Sequence, residues 1–322
     1  NTFFIAPVLD MADSPVFLLE VIIGGLLAGV MYSLVALGFV LIYKASGVFN
    51  FAQGAMVLFA ALTLVGLMEK SIPLPLAIII SLAIMIGCAF AIERWLLRPL
   101  VNQAQIILFM ATIGLAYFME GFGDIMWGSE NKAMDVGIPS GGSLWLEEHT
   151  LGWAAEGERY WGMYIDTLDM VATSVAIILV VSLTLFSQYT KTGRALRAVA
   201  DDHQAALSVG ISLRTIWVIV WSIAGFVALV AGIMWGSKSG VQFSLSLIAL
   251  KALPVLMLGG FTSIPGAIIG GLIIGVGEKL FEFAIGPMIG GATENWFAYV
   301  LALMFLVFRP QGLFGEKIIE RV

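Results

Sequence analysis

The sequence predicts an all-α polytopic membrane protein with about 8–10 transmembrane segments, some of them broken or re-entrant. Three observations predict it. Of 322 residues, 60% are apolar and 12% charged, and mean hydropathy is +1.00, which leaves too few polar side chains to cover a soluble globule. Apolar runs reach roughly 20 residues, the length of a spanning helix, and short polar breaks part them. The strict alternation of a membrane barrel strand is absent.

In order, the runs fall at about 16–42, 48–68, 74–97, 104–127, 168–188, 216–236, 247–261, 264–285 and 296–308, each long enough to cross or partly cross a bilayer. Arg94 and Arg98 share a turn at the end of the third run. Lys191, Arg194, Arg197 and Arg214 lie between the fifth and sixth, and Arg309, Lys317 and Arg321 close the chain. The excess of Lys and Arg makes those segments cytoplasmic. The loop over 128–166 has the opposite character, with Glu130, Asp135, Glu147, Glu148, Glu156, Glu158 and Asp166 against Lys132 and Arg159, and is expected to face out. An odd number of spans then puts the N-terminus outside and the C-terminus inside. No low-complexity tract or linker divides the chain, so residues 1–322 form one membrane domain.

Composition also excludes several classes. Cys88, the only cysteine, lies in an apolar run and allows no disulfide framework. His149 and His203 occupy different loops without metal-ligand spacing. A formal charge of −6 argues against nucleic acid as a partner. The first fifteen residues carry Asp10 and Asp13 but no Lys or Arg, unlike a secretory signal, and a start at Asn1 leaves room for an initiator or short leader.

Two runs are interrupted. In VFNFAQGAM, Asn50 followed three residues later by Gln53 has the form of a capping box, a helix start inside an apolar region, with Gly47 and Gly54 at its ends. In LGGFTSIPGAIIGG, Gly259 and Gly260 end one run, Thr262 or Ser263 can cap the next, and Pro265 sits in its first turn. One such interruption in each half points to a transport path, because broken backbone at membrane depth is tolerated only where protein buries it or water reaches it. A helix N-terminus there also offers free N–H groups to an anionic solute. The alternative is close helix packing, which the spacings Gly266 to Gly270 and Gly271 to Gly275 equally suit.

Lys251 in IALKALPVL and Glu278 beside Lys279 in GVGEKLFEF lie where a charge costs at least ~2.5 kcal/mol at the bilayer centre. They are expected to face a cavity or one another, a salt bridge and a solute role both remaining open. Glu20, Glu93 and Glu120 are placed nearer the interfaces.

The cytoplasmic loop over 189–215 reads as an amphipathic helix with an Ala-rich face, and Gly210 at its end permits an exit turn. Its QAALSVG, residues 204–210, resembles the EAA loop of importer permeases of the ABC (ATP-binding cassette) class, with Gln204 in place of the usual Glu and with Ala205, Ala206 and Gly210 matching. No G-x-x-x-x-G-K-[ST] occurs, so ATP, if used, is bound elsewhere.

Taken together, MYSLVALGFVLIYKASGVFNFAQGAM, TGRALRAVADDHQAALSVGI, LKALPVLMLGGFTSIPGAIIGGLIIGVGE and FRPQGLFGE resemble the H-type permease subunit of bacterial branched-chain amino acid ABC importers, from about residue 20 to 315. At position 53 the family pattern has His where this chain has Gln. The resemblance implies a bacterial inner-membrane permease that moves branched-chain or other hydrophobic amino acids from periplasm to cytoplasm. Urea, short amides and small organic acids are cargoes of relatives. It further implies a second, M-type permease, two cytoplasmic ATP-binding subunits holding ATP and Mg, and a periplasmic binding protein, with no cofactor in this chain. Asn50, Gln53, Gly54, Lys251, Gly259, Gly260, Ser263, Pro265 and Glu278 would flank the path. Arg194, Arg197, Gln204, Ala205, Ala206 and Gly210 would serve coupling. An ion-coupled secondary transporter exchanging protons at Lys251 and Glu278 is the rival reading. An intramembrane enzyme is the weaker one, since no Ser–Lys pair, H-E-x-x-H or two-carboxylate face appears.

Overall fold

The computed structural model describes residues 15–100, 103–138, 165–201 and 203–315. Most of the acidic loop, with His149, Lys317 and Arg321, lies outside them. In chain order the helices are α1 (Pro15–Ser46), α2 (Gln53–Glu69), α3 (Leu74–Ala91), α4 (Gln105–Trp127), α5 (Thr167–Tyr189), α6 (Lys191–Asp201), α7 (His203–Ser208), α8 (Leu213–Ser239), α9 (Ile248–Gly259), α10 (Ile264–Ile289) and α11 (Glu294–Phe308). A π turn (Ile92–Leu97) prolongs α3, and a 3-10 turn (Phe243–Leu247) leads into α9. Every predicted apolar run thus carries a helix. Among the described residues, five helices are long and apolar enough to cross a membrane singly. The α9–α10 pair qualifies together but is bent by 112°, and α2 and α11 are shorter apolar helices.

The centre of the bundle is α1. A helix that is apolar all round has no face to offer water and belongs inside protein, and residues 31–42 are all buried. Antiparallel to it lies α10, held by small residues. A Cβ built on Gly271 would stand 2.5 Å from the Gly29 carbonyl oxygen, and one on Gly275 would meet the backbone of Gly25 and Gly29. Ser33 Oγ lies 2.9 Å from the Gly29 carbonyl on its own helix and 3.1 Å from that of Ala267 across the interface. Lipid gives helices no hydrophobic reason to associate, so backbone approach and such hydrogen bonds supply the cohesion. Gly266 and Gly270 face the other way, toward Gly259 and Val255 of α9. The glycine spacing read as packing therefore serves two interfaces at once.

On the other flank of α1, α8 packs against α2 and α3. Gly232 receives the Val57 carbonyl, and Gly225 faces Met85. Helices α3, α4 and α5 expose long apolar stripes, such as Ile106, Met110, Phe118 and Ile125 on α4, as suits the rim of a bundle in lipid.

Contacts sort the helix ends into two groups. At one end, Phe51 meets Thr112, Arg214 approaches Glu93 at 3.7 Å, and Leu313 meets Leu258. At the other, Glu69 pairs with Lys132 and Asp169 with Lys238, both at 2.5 Å, and Lys279 pairs with Glu294 at 2.7 Å. A single isolated bridge between Lys132 and Val241 also lies there. The first end carries Lys44, Arg94, Arg98, Lys191, Arg194, Arg197, Arg214 and Arg309.

Candidate functional site: two broken helices and a charged vestibule

The first break begins where the Gly47 N–H donates to the Tyr43 carbonyl (2.8 Å) and α1 stops. Asn50 is fully buried, and its Oδ1 accepts from the Ala52 N–H at 3.1 Å, a local turn that side-chain amides favour. The Gln53 N–H donates to the Asn50 carbonyl at 3.2 Å. The predicted capping box is not formed. Helix α2 starts at Gln53 with Ala52 as its N-cap, two residues later than that motif needs, so Asn50 and Gln53 do not occupy the cap and third positions. Instead the Gln53 side chain turns onto Gly38 of α1, fully buried, and neither amide atom has a hydrogen-bond partner.

Sequence reasoning missed what holds this break in place. The Thr112 hydroxyl of α4 accepts from the Phe51 N–H at 3.2 Å and donates to the Phe109 carbonyl at 2.8 Å, with the Phe49 carbonyl also 3.2 Å away. A buried Thr inside an apolar helix was the available signal. Gly54 lies against the Ser246 carbonyl and Ala249, so its missing side chain lets α2 approach the turn before α9.

The second break agrees with the sequence. Helix α9 ends at Gly259, and Gly260 takes φ +101°, a conformation that costs other residues a Cβ clash. Ser263 Oγ accepts from the Gly266 N–H at 3.0 Å, with Pro265 in the first turn of α10. The orphan carbonyls of α9 are met from a distance. The Leu313 and Phe314 N–H groups donate to the Leu258 and Gly259 carbonyls at 2.8 and 3.1 Å. The segment after α11 is thereby strapped across the break.

The two breaks touch. Phe49 stands edge-on to Phe261 (centroids 6.0 Å), Tyr43 packs on Phe261 (5.6 Å), and Phe39, Phe51 and Phe109 extend the cluster. A cavity of about 610 Å³ opens beside it, walled by Phe39, Phe49 and Phe51 and bearing Glu120, Ser244 and Ser246. Asn50, Gln53 and Gly54 thus join Gly259, Gly260, Ser263 and Pro265 in one region.

Lys251 and Glu278 lie elsewhere, toward the other end. The salt bridge between them is not formed. Lys251 Nζ is 3.5 Å from the Tyr32 hydroxyl and 5.5 Å from its ring centroid, while Glu278 is buried with Oε1 lacking a hydrogen bond. Neighbouring Lys279 takes Glu294. Lys251 lines a second cavity, of about 370 Å³, together with Tyr32, Trp235 and further charged groups. Among the described residues, no group of three or more His, Cys, Asp or Glu side chains is arranged to hold a metal.

In the loop over 189–215, Arg197 and Arg194 donate to the Ser187 and Tyr189 carbonyls (2.8 and 3.2 Å), closing the end of α5. Gly210 has φ +86°. Ala205 is exposed, but Ala206 is only 3% exposed and packs inward. The apolar side chains presented outward are Leu207 and Val209 (81% exposed), which the motif reading passed over. The Gln204 side chain lies outside what is described.

A family profile described as branched-chain amino acid transport system / permease component matches residues 21–308. The chain belongs to this family. Within it, the high-affinity branched-chain amino acid transport system permease protein LivH of Escherichia coli K12 is 28% identical over 324 residues, covering 97% of this chain and 100% of LivH. BraD of Pseudomonas aeruginosa, a permease protein of the same description, is 30% identical over 316 residues, covering 94% and 98%. More distantly, the fructose import permease protein FruG of Bifidobacterium longum is 22% identical over 271 residues, covering 82% and 74%. The broken segments, the α6–α7 loop and most of the lining of the second, charged cavity (the vestibule) fall inside the region that the permease family profile spans, with Phe17 and Glu20 just before it.

Proposed function

We propose that this chain is the H-type permease subunit of an ATP-driven importer that carries branched-chain or other hydrophobic amino acids across a bacterial inner membrane. The observation that carries the reading is the near-full-length likeness to LivH and BraD, both permease proteins of high-affinity branched-chain amino acid systems. The clustering of Lys and Arg at one end of the bundle supports a cytoplasmic α6–α7 loop and a cytoplasmic C-terminus. The acidic end is then periplasmic and faces a binding protein.

In this reading the chain does no covalent chemistry. A second, M-type permease completes the conduit, and two ATP-binding subunits, with ATP and Mg, dock on the loop near Ala205, Leu207, Val209 and Gly210. Their closure moves the α6–α7 element, and the helices reorient about the breaks where Phe49 meets Phe261. Asn50, Gln53, Gly54, Gly259, Gly260, Ser263 and Pro265 flank the path, and Arg194 and Arg197 brace the loop against α5.

The test is reconstitution in proteoliposomes with the cognate partners. Leucine uptake is expected to require ATP, to survive collapse of the proton gradient, and to be competed by isoleucine but not by fructose. Uptake that persists without the ATP-binding subunits and vanishes with the gradient overturns the reading in favour of a secondary transporter.

A further inference from the structure

We propose that the 370 Å³ cavity at the acidic end of the bundle binds the cargo as a zwitterion, with the cargo's carboxylate on Lys251. This rests on the import reading and adds to it a place and a charge state. The volume lies within the range of small-molecule sites, about 300–1,000 Å³.

Three lysines line the cavity, and they are not equivalent. Lys238 is tied to both carboxylate oxygens of Asp169 (2.5 and 2.7 Å), and Lys279 to Glu294 (2.7 Å). Lys251 has no carboxylate within 4.0 Å among the described residues. Its polar contact is the Tyr32 hydroxyl at 3.5 Å, at the limit of a hydrogen bond. Glu278 does not line the cavity and is buried with Oε1 lacking a hydrogen bond, so it does not occupy Lys251.

An ammonium group kept at membrane depth with a tyrosine but no carboxylate as its direct partner is costly unless something anionic visits it. The same cavity is lined by Glu20 and Asp166, neither in ion-pair contact with a lysine among the described residues. Its floor is apolar, with Trp235 stacked on Tyr32 at 5.8 Å. One unpaired cation, acids without a lysine and an aromatic floor together fit a small molecule bearing a carboxylate, an ammonium and an apolar side chain. A neutral sugar or amide would leave Lys251 desolvated and unpaired, so the cavity selects against such cargo.

The test is direct binding of radiolabelled L-leucine to the full membrane complex in lipid nanodiscs, without the binding protein. We expect saturable binding that leucinamide, which lacks the carboxylate, fails to displace. Lys251→Gln is expected to weaken binding by about tenfold or more, and Lys251→Arg to keep most of it. Unchanged binding in Lys251→Gln, equal competition by leucinamide, or no binding to the wild-type complex at millimolar leucine each overturns the proposal. The leucinamide competition uses the wild-type protein and so stands even if Lys251→Gln assembles poorly. Failure of the binding test while ATP-dependent leucine uptake by the wild type persists overturns this site alone, whereas absence of that uptake removes the import reading itself.

Discussion

Phe49 and Phe261 stand edge to face with centroids 6.0 Å apart, and through this contact two helix breaks more than 200 residues apart in sequence become one region. Phe261→Ala removes that contact and the one with Tyr43. Aromatic pairs contribute about 0.5–1.5 kcal/mol each beyond buried area, so a loss of about 2 kcal/mol in stability is expected. Uptake is expected to fall much further than assembly with partner subunits. Equal loss of both in co-purification and transport assays would make the cluster packing alone.

Gln53 presents a sharper case. Its buried amide rests on Gly38 without a hydrogen bond, a condition that costs about 1–3 kcal/mol. Gln53→Leu removes the polar group at similar size, so the thermal midpoint is expected to hold or rise. If the amide finds its partner only during transport, leucine uptake falls at the same time. A variant more stable and fully active would show that Gln53 has no part in the path.

The α1–α10 seam predicts a contrast between glycines. Gly271→Val forces side-chain atoms against the Ser33 side chain and against the Gly29 carbonyl, which is backbone and cannot rotate aside. Overpacking costs about 1–3 kcal/mol, with more expected here. Gly87→Ala, with nothing within 4 Å of the added Cβ, is expected to be neutral or to gain up to about 1 kcal/mol of helix propensity. Thermal unfolding of both variants in the same detergent checks the difference.

These cases show where the sequence was informative. Apolar runs and their charged flanks located each spanning helix, because length and hydropathy are properties of a single segment. Ser263 and Gly260 were legible for the same reason: a cap and a left-handed turn are local. Partners were not legible. Asn50 and Gln53 looked like a capping box until the helix start proved to be two residues later. A salt bridge between Lys251 and Glu278 was one of two open readings, yet Tyr32 stands beside Lys251 and Lys279 takes the carboxylate of Glu294. Thr112 and the strap at Leu313 act across the fold, where spacing along the chain gives no warning.

That strap carries its own prediction. Leu313→Pro deletes the N–H donated to the Leu258 carbonyl and leaves a buried acceptor unpaired at the end of α9. About 1–3 kcal/mol of local stability is at risk. Hydrogen exchange at Gly260, whose own N–H bonds back to Leu256, is expected to accelerate, while α3, which packs on α2 and α8 and not on this break, keeps wild-type protection. Uniform loss of protection would mean that the tail supports the whole fold rather than the break.

The α6–α7 loop separates docking from folding. Val209 is 81% exposed, so Val209→Asp is expected to leave the unfolding free energy within about 0.5 kcal/mol of wild type. If an ATP-binding subunit seats its groove on Leu207 and Val209, a charge there lowers co-purification and abolishes stimulated ATP hydrolysis. Gly210→Val reaches the same end by another route, since a β-branched residue at φ +86° is strained by roughly 1–2 kcal/mol and shifts the exit of the loop. Both variants are expected to keep leucine binding at the vestibule, which lies at the opposite end of the bundle. Loss of that binding, with ATP hydrolysis intact, would show that the loop acts on the cargo site directly and not through a motor subunit.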